Sequence, residues 1–209
     1  MASADRHPLL DGAPLSLSPA GGGAPASAAD TPVLLLLGDG PEARALARLA
    51  AECGFAVDMA VRDEAGPLDA PGEAEAPAEA EPAAPEIPGL RRYIRLLPDE
   101  SAVARCGVGR RHYVCIFPPD EATAVDALED VLSSHAFYVG LWATRDERER
   151  IWAALRAAGV PDAELAAVHC PLGLGDLGDL GGPVASAVPV LADLLAARAG
   201  SRQRGRLED

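Results

Sequence analysis

The chain of 209 residues contains no lysine and no asparagine, so all 18 of its basic residues are arginine. Without lysine there is no Walker-type phosphate lysine, no Schiff base and no lysine general base. Basic charge is also outweighed: 32 acidic residues leave a formal net charge of −14. That removes the positive footprint on which nucleic acids and anionic membranes are bound. Cysteine is scarce, and Cys53, Cys106, Cys115 and Cys170 form no C-x-x-C pair and sit at no zinc-finger spacing from a histidine. A structural metal is therefore not expected, and the thiols read as buried and reduced. Aromatics make up only 4%, and alanine supplies much of the 49% apolar content. No apolar run approaches the roughly 20 residues of a membrane span. Residues 1–27 carry neither a basic leader nor a continuous apolar core, so the expectation is a cytoplasmic protein.

What is present is an alternation of short apolar runs with helical periodicity. Residues 1–31 are rich in Ala, Gly, Pro and Ser and read as a disordered tail. "VLLLL" at Val33–Leu37 is a continuous apolar strand of the kind buried on both faces of a parallel sheet. A helix follows from Pro41, with Ala43, Leu46, Ala47 and Ala50 on its apolar stripe. "FAVDMAV" is a second strand. Residues 64–88 are Ala/Pro/Glu-rich and read as an acidic, flexible excursion. "RRYIRLL" and "HYVCIF" are strands three and four, with a short helix, "DESAVARCG", between them. A helix spans 120–134, "FYVGLWA" is strand five, and Thr144 with Glu147 forms a capping box for the next helix. "AAVHC" reads as a short sixth strand, residues 184–199 as the last helix, and 200–209 as a frayed tail. Residues 32–199 thus form one domain. The expected fold class is α/β: a Rossmann-like, doubly wound, mostly parallel six-stranded sheet of order 3-2-1-4-5-6.

In such sheets ligands bind beyond the carboxyl ends of the strands, where strand order reverses. Four loops are expected to meet there. Gly38-Asp39-Gly40, with Ala43, matches G-x-G-x-x-G/A and reads either as a phosphate turn or as the tight turn any such fold needs. Asp39 and Glu42 set two carboxylates at the phosphate position. Asp63, near the end of strand two, is the ribose-binding candidate for NAD(P). The second loop carries Asp120. In the third, Thr144 and Arg145 open a helix and suit a phosphate or a pterin carbonyl, or else Arg145 is an exposed arginine paired with Asp146 or Glu149. In the fourth, His169 and Cys170 suit metal or sulfur chemistry, or else simply pack. No Ser-His-Asp arrangement and no acid/base pair of carboxylates is evident, so no catalytic residue is assigned.

The run "HYVCIFPPDEATAVDALEDVLSSHAFYVGLWATRDERERIWAALRAAGV", followed by "HCPLGL" and "PVASAVPVLADLLAAR", resembles the Rossmann domain of the XdhC/CoxI family. These are accessory proteins of xanthine dehydrogenase and related molybdenum hydroxylases. The most specific piece is "YVGL", then Thr-Arg opening a helix, then Pro-Leu-Gly-Leu about thirty residues later. The resemblance implies a cytosolic maturation factor rather than an enzyme. Such a factor binds molybdenum cofactor, protects it during sulfuration by a cysteine desulfurase and helps deliver it to the apo-hydroxylase. By this resemblance the cofactor-binding positions are Gly38, Gly40, Arg145, Pro171 and Gly173. Pro41 stands where members commonly carry His, Pro118-Pro119-Asp120 where Thr-His-Asp is common, and Ala143-Thr144-Arg145-Asp146 where Gly-Ser-Arg-Arg/Lys is usual. The family's N-terminal domain maps to no part of this chain, so the expectation is that a separate chain supplies it or that the protein serves as a binding scaffold; a homodimer is a further expectation. An NAD(P)-binding oxidoreductase or sensor and a ligand-free interaction module are the competing readings.

Overall fold

In the computed structural model the described residues are 31–62, 86–173 and 181–208. The expected tail, apart from Thr31, and the acidic excursion, apart from residues 86–88, lie outside them, as does Asp63.

Every residue of β1 (Val33–Leu37) is buried, because the strand lies at the centre of the sheet. It pairs in parallel with β2 (Ala56–Arg62) on one side and β4 (His112–Ile116) on the other. The outer strands are β3 (Leu90–Leu96) beside β2 and β5 (Tyr138–Leu141) beside β4, giving the order β3-β2-β1-β4-β5. The two-residue period of a strand splits β1 between two cores. Leu34 and Leu36 face α1 (Pro41–Glu52) and α6 (Pro183–Glu208), where Leu46, Ala47, Val190 and Leu194 pack. Leu35 and Leu37 face α2 (Ala102–Cys106), α3 (Glu121–Leu132) and α4 (Arg145–Ala157), where Leu128, Ile151 and Leu155 pack. Helices on both faces explain why the central strand needs no polar residue.

Asp58 on β2 is the one charged side chain buried among the described residues. It survives there because β3 presents two arginines: Nε of Arg91 lies 2.8 Å from Oδ1 and Nε of Arg92 lies 3.0 Å from Oδ2. Burial pushes the Asp58 carboxyl up, but the hydrogen bonds and charges of the two guanidiniums outweigh it and hold the group below its ordinary value.

The expected sixth strand is not a strand. The sheet has five, and "AAVHC" contributes an isolated bridge between His169 and Gly140. The reason is local. Ala166, Ala167 and Val168 are still donating back to Asp162, Glu164 and Leu165, closing the short α5 (Asp162–Leu165) that the periodicity did not reveal. Only His169 is free to exchange hydrogen bonds with Val139 and Leu141 of β5. Two residues on, Pro171 has no N–H to continue a ladder. The last helix also differs from its expected bounds of 184–199, since α6 runs on to Glu208. No proline follows Pro189, and Arg, Gln, Leu and Glu are good helix formers.

Candidate functional site

The carboxyl ends of β1, β2 and β4 are tied tip to tip. Gly38 N–H donates to the Ala60 carbonyl at 2.9 Å, Phe117 N–H to Leu37 at 2.7 Å and Trp142 N–H to Ile116 at 2.8 Å. Gly38 has φ +105°, and a Cβ there would collide with the Phe117 carbonyl oxygen. Only glycine satisfies both demands. Gly40 is different: its φ is −55°, and the nearest group to a Cβ there would be the Glu42 carboxylate at 3.8 Å. The first glycine is required by the fold, whereas the second leaves open space over the start of α1.

That space is a crevice of about 640 Å³, within the range of small-molecule sites. Gly38, Asp39, Gly40 and Glu42 line one side, Arg62 and Leu96 the second, and Phe117, Pro118, Pro119 and Trp142 the third. The Phe117 and Trp142 rings stack at 5.6 Å and 27°, giving the crevice a flat apolar wall. Asp39 is already spoken for. Arg44 Nη2 donates to its carboxylate at 2.8 Å, Arg44 Nε to its carbonyl at 2.7 Å and the Tyr93 hydroxyl to Oδ2 at 3.1 Å. Burial and the Asp39 contact both push the Tyr93 phenol up, so it stays a donor. Glu42 has no such partner among the described residues and lies in the first turn of α1, where the helix dipole favours an anion.

A second cavity of about 510 Å³ adjoins the first, sharing Pro118, Pro119 and Trp142, and is bounded by Asp120, Ala143, Glu147 and Ile151. Asp120 lies on its wall as the cap of α3. The Thr123 N–H donates to its carboxylate at 2.8 Å and holds that carboxyl below its ordinary value.

The structure therefore brings together Gly38, Asp39 and Gly40 at the first cavity and Asp120 at the second, but not the rest of the expected constellation. Thr144 and Arg145 border neither cavity. The Thr144 hydroxyl accepts from the Glu147 N–H at 3.3 Å and the Thr144 N–H donates to Glu147 Oε2 at 2.7 Å, completing the capping box; the hydroxyl also donates to Oε2 at 2.7 Å. Arg145 is exposed in the first turn of α4. His169, Cys170, Pro171 and Gly173 also border neither cavity. They build the outer side of β5. The His169 ring stacks on Tyr138 at 4.3 Å. A Cβ on Gly140 would collide with Leu172, and Gly173 (φ +78°) leaves only 3.1 Å to Pro189 of α6. Burial pushes the Cys170 thiol up to about 12, which removes it from thiolate chemistry near neutral pH. The Tyr138 hydroxyl is buried without a hydrogen-bond partner among the described residues, for which the fold offers no physical account. No cluster of three or more metal-ligating side chains occurs among the described residues.

Sequence reasoning missed Arg62. Attention fell on an acid in Val61-Arg62-Asp63, yet Arg62 is the residue that closes β2 and lines the crevice. The signal was available, because an arginine at this position of a dinucleotide-type fold suits a phosphate rather than a ribose hydroxyl.

With this geometry in place, comparison with known proteins is specific. The XdhC Rossmann domain matches residues 34–194. No curated protein sequence matches the chain. Among solved structures, a xanthine dehydrogenase from Bacillus halodurans is similar with a TM-score of 0.58 and 19% identity over 81% of this chain, a likeness of fold. The matched region covers 43% of that protein, so the chain spans less than half of its length. With the XdhC match running from β1 into α6, the chain belongs to the XdhC family and carries its Rossmann domain.

Proposed function

We propose that this protein is an accessory factor in the maturation of a molybdenum hydroxylase of the xanthine dehydrogenase type, holding molybdenum cofactor for sulfuration and insertion. The observation that carries the reading is the crevice of about 640 Å³ at the sheet's switch point, in a chain of this family. Its residues fit the group. Phe117, Trp142 and the two prolines offer a flat apolar wall for a tricyclic pterin, open backbone at Gly40 admits a ligand, and Arg62 supplies positive charge. The cofactor itself would bring the metal and its sulfur chemistry. The chain's residues bind it, orient it and keep water from it, and none is assigned a catalytic role. An apo-hydroxylase and a cysteine desulfurase are the partners this role requires, in the cytoplasm.

The test is purification from a molybdenum-replete host, followed by molybdenum determination and pterin fluorescence after oxidation. Near-stoichiometric amounts of both are expected, and protein free of both after gentle purification would defeat the reading. One observation favours a second reading, binding of an NADP-type ligand: the arginine at the end of β2 stands where the 2′-phosphate of such a nucleotide is held.

A further inference from the structure

Arg62 differs from several other arginines of the chain in what holds it. Arg44 is paired with Asp39, Arg91 and Arg92 with Asp58, Arg150 with Glu121, and Arg156 with Asp162. Arg62 is held instead by backbone carbonyls of the β3–α2 loop. Its Nη1 donates to Leu97 at 3.0 Å, to Pro98 and to Glu100 at 3.3 Å. Carbonyl dipoles fix a guanidinium in place without cancelling its charge. Among the described residues no carboxylate forms an ion pair with it, and its Nε and Nη2 donate to none of them. A positioned positive charge, paired with no carboxylate among the described residues, thus lines a crevice of ligand size.

The glycine turn of the same crevice carries the reverse arrangement. Glu42 lies over Gly40 at the N-terminus of α1, in the place where a pyrophosphate would sit on the glycine turn. A second anion there would meet like charge at close range, and Asp39 beside it is also acidic.

We infer that Arg62 is the anion-docking residue of the crevice, taking a phosphate monoester of the ligand at the end of β2, while the Glu42-screened glycine turn takes none. This deepens the proposed function and rests on it only for the identity of the ligand. The shared chemistry is a phosphate monoester on a flat heterocyclic ligand, and two sources carry it: the pterin phosphate of molybdenum cofactor and the 2′-phosphate of an NADP-type nucleotide. Planar, forked guanidinium donors match such a group through two parallel hydrogen bonds.

The experiment is equilibrium binding at fixed ionic strength to the full chain and to Arg62→Gln. Glutamine keeps a donor for the loop carbonyls and removes the charge, and an unchanged melting temperature confirms that the fold is retained. The probes are molybdopterin released from a molybdenum hydroxylase, adenosine 2′,5′-bisphosphate, and adenosine as the control lacking phosphate. The expected result is a loss of about tenfold to a hundredfold for the phosphate-bearing probe that binds, with partial rescue in Arg62→Lys. If Arg62→Gln binds released molybdopterin as tightly as the natural chain does, the inference fails while the proposed function stands. If the natural chain binds only adenosine 2′,5′-bisphosphate, in an Arg62-dependent way, the inference holds and molybdenum cofactor is replaced by an NADP-type ligand. Binding of neither phosphate-bearing probe overturns the inference.

Discussion

The crevice beside β1 and the outer side of β5 divide labour within one sheet. The β5 side carries the residues by which the family resemblance is most readily seen, Tyr-Val-Gly-Leu and Pro-Leu-Gly-Leu, and the two runs meet at Gly140 and Leu172. Gly140 gives way to Leu172, Tyr138 stacks on His169, and Gly173 lies against Pro189. The crevice, by contrast, is lined by Arg62, Glu42, Phe117 and Trp142, none of which belongs to either run. Where two motifs distant in sequence meet in space, their joint spelling records a packing constraint. A ligand-facing wall carries no such mutual constraint, so its residues are free to follow the ligand.

The largest expected effect tests whether the β5 side is packing alone. Leu172 is buried against Gly140, and Leu172→Ala removes that filling and leaves a cavity. Stability should fall by about 2–5 kcal/mol, measured by chemical denaturation, while ligand binding by the surviving folded fraction stays unchanged. Loss of binding at full stability would mean that the Pro-Leu-Gly turn belongs to the site after all.

A smaller change probes the cap between the two regions. Thr144→Ala removes the hydroxyl that accepts the Glu147 N–H, and about 1 kcal/mol of stability should go with it. The Glu147 carboxyl, held low chiefly by the Thr144 N–H, should move toward its ordinary value because that backbone contact loosens with the cap. Carbon-detected NMR titration of the Glu147 carboxyl would read this directly, and an unmoved titration would show that the backbone half of the box suffices.

How much of this was legible in advance follows from the range over which each signal acts. Strands one to five, the Gly38 turn and the Thr144–Glu147 box are local patterns, spelled within a few neighbouring residues, and they appear as read; the order of those five follows from right-handed crossovers. The sixth strand failed because an apolar pentapeptide does not reveal that its first three residues close the α5 turn. Arg62 was legible by its place at the end of strand two, but its anchoring by the Leu97 carbonyl, 35 residues away, is reported by no local pattern. The expected meeting of four loops failed for a similar reason. Strand order places all of them at one end of the sheet, but not on one wall.

Chemical inertness of the β5 side gives a nearly silent prediction. With burial pushing the Cys170 thiol up to about 12, its neutral form persists through pH 9. Alkylation by iodoacetamide in the folded protein should be slow throughout and still climb about tenfold per pH unit at pH 9, because only the thiolate attacks and its small fraction keeps rising. A faster rate that levels near pH 8.5 would expose Cys170 as an ordinary accessible thiol. It would also reopen a sulfur-handling role for the fourth loop.

The smallest effect is expected at Arg145, the residue to which the sequence pattern draws attention first. It is exposed in the first turn of α4 and borders neither cavity. Its contribution to the lowered Glu149 carboxyl comes after that of Arg148, whose hydrogen bond and charge hold that group. A positive charge at a helix N-terminus also opposes the helix dipole. Any attraction to Glu149 is therefore set against a repulsion of similar size, and Arg145→Ala should shift stability by no more than about 1 kcal/mol in either direction. Binding of released molybdopterin should match that of the natural chain, in contrast to Arg62→Gln. If binding by Arg145→Ala fell tenfold with an unchanged melting temperature, the ligand would have to span both cavities, reaching past Trp142 and Glu147 to the start of α4. The boundary drawn between the crevice and the β5 side would then move out by one helix.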